Sequence, residues 1–142
     1  MIVRPWRKGD TEKVDIQESQ AYTPKLFDIS TDLTEFSDRG HAFSFVTDDD
    51  EVMAVVLLCE MWPNRAEVTT IISKHAGKYF RFIHKWLNDI MTHYDYNRYE
   101  TTVDVGFEQG HRWMKLLDFQ PEGYLRKYRP DGADMVLYAR IK

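Results

Sequence analysis

The chain has a single cysteine, Cys59, so no internal disulfide can form and the fold must rest on packing. Cys59 stands in an apolar run, where a thiol is expected to be a buried core group rather than a nucleophile, and a reducing compartment fits. No stretch is long and apolar enough for a transmembrane helix, and the N-terminus lacks the apolar centre of a signal peptide. The expectation is a cytoplasmic protein without a membrane partner. Positive charge is not in excess: 19 Lys and Arg stand against 23 Asp and Glu, a net charge of −4 that argues against a nucleic-acid partner. The histidines include no pair spaced by three or four residues. Glu108 and His111, one helical turn apart, have no third ligand and read as a surface pair, so no metal site is expected. A Ser/His/Asp order, a Cys/His pair and a complete Walker loop are all absent, as are repeats, low-complexity segments and linkers.

What is present suits one α/β domain over residues 1–142. The chain is long enough for one core. Its hydrophobic content of 43% beside 30% charged residues is that of a globular chain, and aromatics at 14% should carry much of the core volume.

Residues 1–5 read as a short strand ended by Pro5 and the turn Arg7-Lys8-Gly9-Asp10. Asp10 is a candidate N-cap for a first helix over 11–22, which Pro24 breaks. A second short helix is expected over 30–38, with Gly40 as its C-cap. Residues 41–47 and 52–60 form a hairpin around the acidic turn 48–50, and the second strand, apolar on both faces, should be central. The acidic turn lacks the ligand spacing of a calcium loop. A strand over 67–73 then leads to a helix over 79–94. There Phe80, Ile83, Leu87, Ile90, Met91 and Tyr94 recur at three- and four-residue steps. A strand over 99–105, a helix over 108–117 and a last hairpin of 123–128 with 135–141 complete the order β-α-α-β-β-β-α-β-α-β-β, a mixed sheet with flanking helices. Arg126, Lys127 and Arg129 on that hairpin read either as a small binding patch or as charges protecting an edge strand.

The run Lys74-His75-Ala76-Gly77-Lys78 joins a strand to a helix N-terminus through glycine. Free amide N–H groups of a first helical turn, with the helix dipole behind them, favour an anion there, and Lys74 and Lys78 would flank it. His75 is a candidate phosphate or substrate contact. A plain connector would have the same geometry.

The element order, the strand–glycine–helix unit and Leu117-Asp118-Phe119 before the last strand pair resemble the GNAT superfamily of N-acetyltransferases. The opening Ile2-Val3-Arg4-Pro5 with Gly9-Asp10 is similar to a GNAT first strand and turn, so the resemblance covers essentially the whole chain. It implies acetyl-CoA as cofactor and an unidentified amine as acceptor. The family's pyrophosphate loop, Gln/Arg-x-x-Gly-x-Gly/Ala, corresponds to Lys74 through Tyr79: Gly77 matches, Lys74 keeps only charge, and Tyr79 replaces a small residue. Backbone amides of Gly77, Lys78 and Tyr79 would hold the pyrophosphate, and the backbone of Ile71, Ile72 and Ser73 would pair with the pantetheine arm. The general acid of the family, a tyrosine, is replaced by Met114 beside Trp113. Glu67 is the nearest general base, or else a solvent-facing strand-end carboxylate; Glu60 is the other candidate.

Ser73 through Arg81 and the Trp-bearing helices are also similar to small phage proteins with a degraded GNAT pattern, among them an internal virion protein. Two functions follow from the resemblance: an acyl-CoA-dependent N-acetyltransferase with a degenerate cofactor loop, or a catalytically inactive GNAT-fold structural or interaction protein of a phage virion. The second implies a homo-oligomer or a virion partner, and a virion rather than cytoplasmic location.

Overall fold

A computed structural model describes residues 1–22 and 40–142. The second helix expected over 30–38, and the break at Pro24, lie outside the described residues. Seven strands form one sheet: β1 (Ile2–Pro5), β2 (Gly40–Val46), β3 (Val52–Trp62), β4 (Arg65–Ile72), β5 (Arg98–Asp104), β6 (Gln120–Leu125) and β7 (Met135–Ile141). Helix α1 (Phe80–Tyr94) connects β4 to β5, and α2 (Glu108–Leu116) connects β5 to β6. The strand order is β1-β2-β3-β4-β5-β7-β6. Every neighbouring pair is antiparallel except β4 and β5, which are parallel. A parallel pair needs a crossover, and α1 supplies it.

The all-apolar run of β3 is buried from Val52 to Leu58, as a strand covered on both faces must be. On one face Ile83, Leu87 and Met91 of α1 and Trp113 and Met114 of α2 pack on Phe45, Val56, Leu58, Val68 and Tyr99. These α1 residues recur every four positions, so one stripe of the helix meets the sheet. On the other face Val14, Val46, Val55, Leu57 and Ile71 form a second cluster, with Trp6 and Ile16 against it. No helix of the described residues is long and apolar enough to cross a membrane.

Several expectations are corrected. Residues 11–22 form no α-helix, only two 3₁₀ turns, Thr11–Lys13 and Glu18–Gln20. Val14 takes an extended conformation between them, burying its side chain in the second cluster. Asp10 makes no side-chain cap. Its carboxylate is buried and accepts two hydrogen bonds from Arg4 (2.6 and 3.0 Å), one from the Ser44 hydroxyl (2.7 Å) and one from the Arg7 amide (2.8 Å). Gly40 is the first residue of β2 rather than a helix cap. A Cβ there would fall on the Leu58 carbonyl oxygen, so close strand approach explains the glycine. Cys59 is half-buried rather than fully buried. His111 does not pair with Glu108: Nε2 meets the Val105 carbonyl (3.0 Å) and Nδ1 the Tyr138 hydroxyl (2.7 Å), tying α2 to β7. The last hairpin begins at Gln120 instead of 123.

Candidate active site

The parallel ladder of β4 and β5 has three rungs, Arg65 with Arg98, Ala66 with Tyr99 and Glu67 with Glu100. Both strands continue, to Ile72 and Asp104, without pairing. The two therefore fork. A cavity of about 1060 Å³ fills the fork, lined by both strand edges, Gly77, Phe80 of α1, and Trp113 and Met114 of α2. The helices hold it open from one side. The Trp113 indole N–H donates to His84 Nδ1 (3.1 Å), and its ring meets Phe80 edge-on at 5.4 Å. At the closed end a chain of ion pairs crosses three strands: Arg65 to Glu100 (2.6 Å), Glu100 to Arg98 (2.5 Å) and Arg98 to Glu122 (2.6 Å).

Glu67 sits where the ladder ends and lines the cavity. Desolvation raises its pKa above the ordinary value, the Glu100 charge raises it further, and Arg65 opposes both only in part. Among the described residues no hydrogen-bond partner holds its carboxylate. Glu100, by contrast, is held at about 2, chiefly by the Arg65 hydrogen bond and also by Arg98. Glu60 does not line the cavity; it lies beside Tyr96, whose hydroxyl is pushed to higher pKa by burial and then by the Glu60 charge.

The glycine turn forms the rim. Ala76–Tyr79 is a 3₁₀ turn leading into α1, with Ala76 buried and Gly77 exposed. A Cβ built on Gly77 meets nothing within 4 Å, so the backbone there faces open space. Lys74 lines the cavity, its ammonium 3.3 Å from Asp15, and His75 Nε2 meets the same carboxylate at 2.8 Å. Tyr79 does not line the cavity; its ring packs on the core, with the Lys78 ammonium 5.1 Å from the ring centre. Ile72 and Ser73 both line the cavity, though the Ser73 amide itself donates to Met53 of β3 (2.8 Å), away from the fork. The cavity thus brings together Glu67, Ile72, Lys74 and Gly77, and leaves Lys78 and Tyr79 behind its rim.

Two further walls come from distant segments. Arg129 is mostly buried: it pairs with Asp104 (2.7 Å) and Asp131 (2.6 Å) and lies over the Tyr22 ring at 3.8 Å. It is a structural clamp between β5 and the last hairpin, not one of a patch of three exposed cations. From the other side, Gln20 reaches the fork edge of β4: its Nε2 donates to the Thr70 carbonyl (3.0 Å), and its Oε1 accepts from the Ile72 amide (3.0 Å).

No protein-family profile and no curated protein sequence matches the chain. Solved structures do. A crystal structure of a putative phosphinothricin N-acetyltransferase aligns with a TM-score of 0.78 at 12% identity, over 99% of this chain and 97% of its own. An IAA acetyltransferase from Bacillus cereus gives 0.72 at 15%, over 99% of both chains. A spermidine N-acetyltransferase SpeG chimera from Vibrio cholerae and hSSAT gives 0.71 at 16%, over 99% and 96%. The fold is that of the GNAT N-acetyltransferases.

Within this fold, Met114 lines the cavity from α2 beside Arg112 and Trp113, and it has no proton to give. The hydroxyl-bearing side chains of the cavity wall include Tyr22 and Tyr128. Neither they nor Gln20 carried a sequence signal for the site, because each arrives from a loop or turn distant in sequence from the fork; Arg129 was visible only as one of three charges on the last hairpin. The Trp113–His84 hydrogen bond needs both helices in place, and no spacing in the sequence signals it.

Proposed function

We propose that this chain is an acyl-CoA-dependent N-acetyltransferase, with acetyl-CoA as donor and an amine as acceptor. The observation that supports it best is the β4–β5 fork, whose cavity joins the open backbone at Gly77 to the desolvated carboxyl of Glu67. The residues present fit the cofactor. Gly77 leaves room for a phosphate at a helix start, Lys74 supplies positive charge, and the Thr70 and Ile72 peptide groups face the fork with one acceptor and one donor. Lys78 and Tyr79 would contribute backbone amides only. Acetyl-CoA, when bound, supplies an acetyl thioester.

The chain's own residues then have distinct tasks. Glu67 takes the proton that an acceptor ammonium must lose before its nitrogen can attack, and a raised pKa brings this base nearer to neutrality. The apolar walls from Phe80, Trp113 and Met114 exclude water from the thioester end. Met114 offers no acid, so the proton for a leaving thiolate, whose conjugate thiol has a pKa of about 8–9, would come from the nitrogen as it is acylated. Catalysis here leans on positioning more than on acid assistance.

The acceptor is open. Spermidine and phosphinothricin N-acetyltransferases share this fold with different amines, so the fold does not choose one. Calorimetric titration with acetyl-CoA tests the reading: absence of binding at millimolar cofactor sinks it. Where binding is found, Gly77→Glu should abolish it by placing a carboxylate on the phosphate position.

A second reading has one observation in its favour. Met114 faces the cavity at the position where the family's proton donor stands, as suits an inactive GNAT-fold protein with a structural or interaction role, as in a phage virion. Acetyl-CoA binding without turnover over a broad amine panel would favour it.

A further inference from the structure

Because β4 leaves its partner after Glu67, the fork-facing peptide groups of Thr70 and Ile72 have no strand beside them. A buried amide or carbonyl without a partner is costly. The group that meets them is a side chain from some fifty residues earlier in the chain. The Gln20 carboxamide gives its N–H to Thr70 and takes the N–H of Ile72, both at 3.0 Å, and Gln17 Nε2 reaches the Ile72 carbonyl at 3.4 Å. A carboxamide carries one acceptor and one donor side by side, so Gln20 imitates a single rung of a neighbouring strand.

The segment bearing Gln20 is fastened on both sides: Tyr22 lies under Arg129 at 3.8 Å with its hydroxyl 4.0 Å from Met135 Sδ, and the earlier end is held at three points. Val14 is buried, the Asp15 carbonyl accepts the Lys74 amide (2.9 Å), and Ile16 bridges Ser73. Beyond Ile16 the turn Glu18–Gln20 buries no residue. Among the described residues, the hydrogen bonds that tie residues 17–20 to β4 come from the Gln17 and Gln20 side chains.

We propose that Gln20 is a built-in competitor for the β4 edge, and that the amide-bearing arm of an acyl-CoA binds there only by displacing it, the Gln20 side chain swinging out of the fork. This rests on the acyl-CoA reading above. The strap keeps the edge satisfied when no ligand is bound, and it blunts the edge against pairing with another chain. It also lowers the apparent affinity by the fraction of molecules in which the edge is free. A ligand with phosphates but no amide arm can sit at the Gly77 turn without moving Gln20.

The test compares acetyl-CoA with ADP, which carries a pyrophosphate and no amide arm. Removing two neutral hydrogen bonds from the competing state, as in Gln20→Ala, should tighten acetyl-CoA binding roughly tenfold and leave ADP binding unchanged. Gln20→Glu, which loses the donor and sets a carboxylate against the Thr70 carbonyl, should move acetyl-CoA in the same direction. In the wild-type protein, saturation with acetyl-CoA should shift the Gln20 side-chain amide resonances to solvent-exposed positions, and ADP should not. Acetyl-CoA binding that is unchanged or weakened in Gln20→Ala overturns the proposal, as do Gln20 resonances unmoved at saturation. If neither wild type nor Gln20→Ala binds acetyl-CoA, the N-acetyltransferase reading itself falls and carries this one with it.

Discussion

Glu67 and Glu100 are cross-strand partners on the last rung between β4 and β5, and among the described residues only Glu100 has a cation bonded to it. Arg65 reaches past its own strand neighbour Glu67 to bond both oxygens of Glu100, at 2.8 and 2.6 Å. The two carboxyls are thereby pushed apart: Glu100 is held at about 2, while burial and the Glu100 charge raise Glu67. Two carboxyls whose environments separate their pKa values are a recurrent arrangement at catalytic sites.

Glu67→Gln should lower kcat by about 10²–10⁴-fold with a much smaller effect on the acetyl-CoA Kd. The wild-type rate should fall as pH drops through the Glu67 pKa, a limb lying above the ordinary glutamate value because that pKa is raised. A pH–rate profile that keeps the same acidic limb in Glu67→Gln assigns the base elsewhere.

Glu100→Gln should move that limb to lower pH. Losing Glu100 removes a like charge from Glu67 and also frees Arg65 to act on it, and both changes lower the Glu67 pKa. A shift toward higher pH would contradict this account of the pair. The measurement is kcat/KM against pH for the two proteins.

Asp10→Asn should destabilise the fold at neutral pH. Burial alone would raise the Asp10 carboxyl, but hydrogen bonds from Arg4, Ser44 and the Arg7 amide outweigh it and lower the pKa from 3.8 to about 2. A folded-state pKa below the unfolded one stabilises the native state above the unfolded value, and this stabilisation fades as pH falls toward the folded value. The shift corresponds to about 2 kcal/mol at pH 7. Urea denaturation should show the gap between wild type and variant narrowing between pH 5 and pH 2; a constant gap would remove the ionised carboxylate from the explanation.

Gly40→Ala should cost on the order of 1–3 kcal/mol, the cost of overpacking, because the new methyl meets the Leu58 carbonyl across β2 and β3. Gly77→Ala, with open space around its Cβ, is the matched control and should leave the melting temperature nearly unchanged. Equal losses at the two positions would argue against close strand approach as the reason for Gly40.

Local patterns were legible where local physics decides. The apolar run of β3 could only be a strand buried on both faces, and the spacing of Ile83, Leu87 and Met91 could only be a helix with one face in the core. The strand–glycine–helix unit and its GNAT resemblance were equally visible, because they depend on neighbours in sequence. The helix expected over 11–22 failed for the opposite reason. Asp10 had a stronger use in a buried ion pair with Arg4 than as a cap, and the Gln17 and Gln20 amides were drawn to the β4 edge instead of a helix surface.

From the sequence alone came the strands, the two packed helices, the turn at Gly77 and a methionine, Met114, where the GNAT resemblance expects a proton donor. These depend on periodicity, side-chain chemistry and a glycine between a strand and a helix. Tertiary structure decided what those parts do together. It ended the β4–β5 ladder at Glu67, turned the Tyr79 ring onto the core and away from the cavity, and gave Arg65 and Arg98 to Glu100 rather than to Glu67. Each outcome is a competition between groups far apart in the chain, settled only when packing brings them within hydrogen-bonding distance.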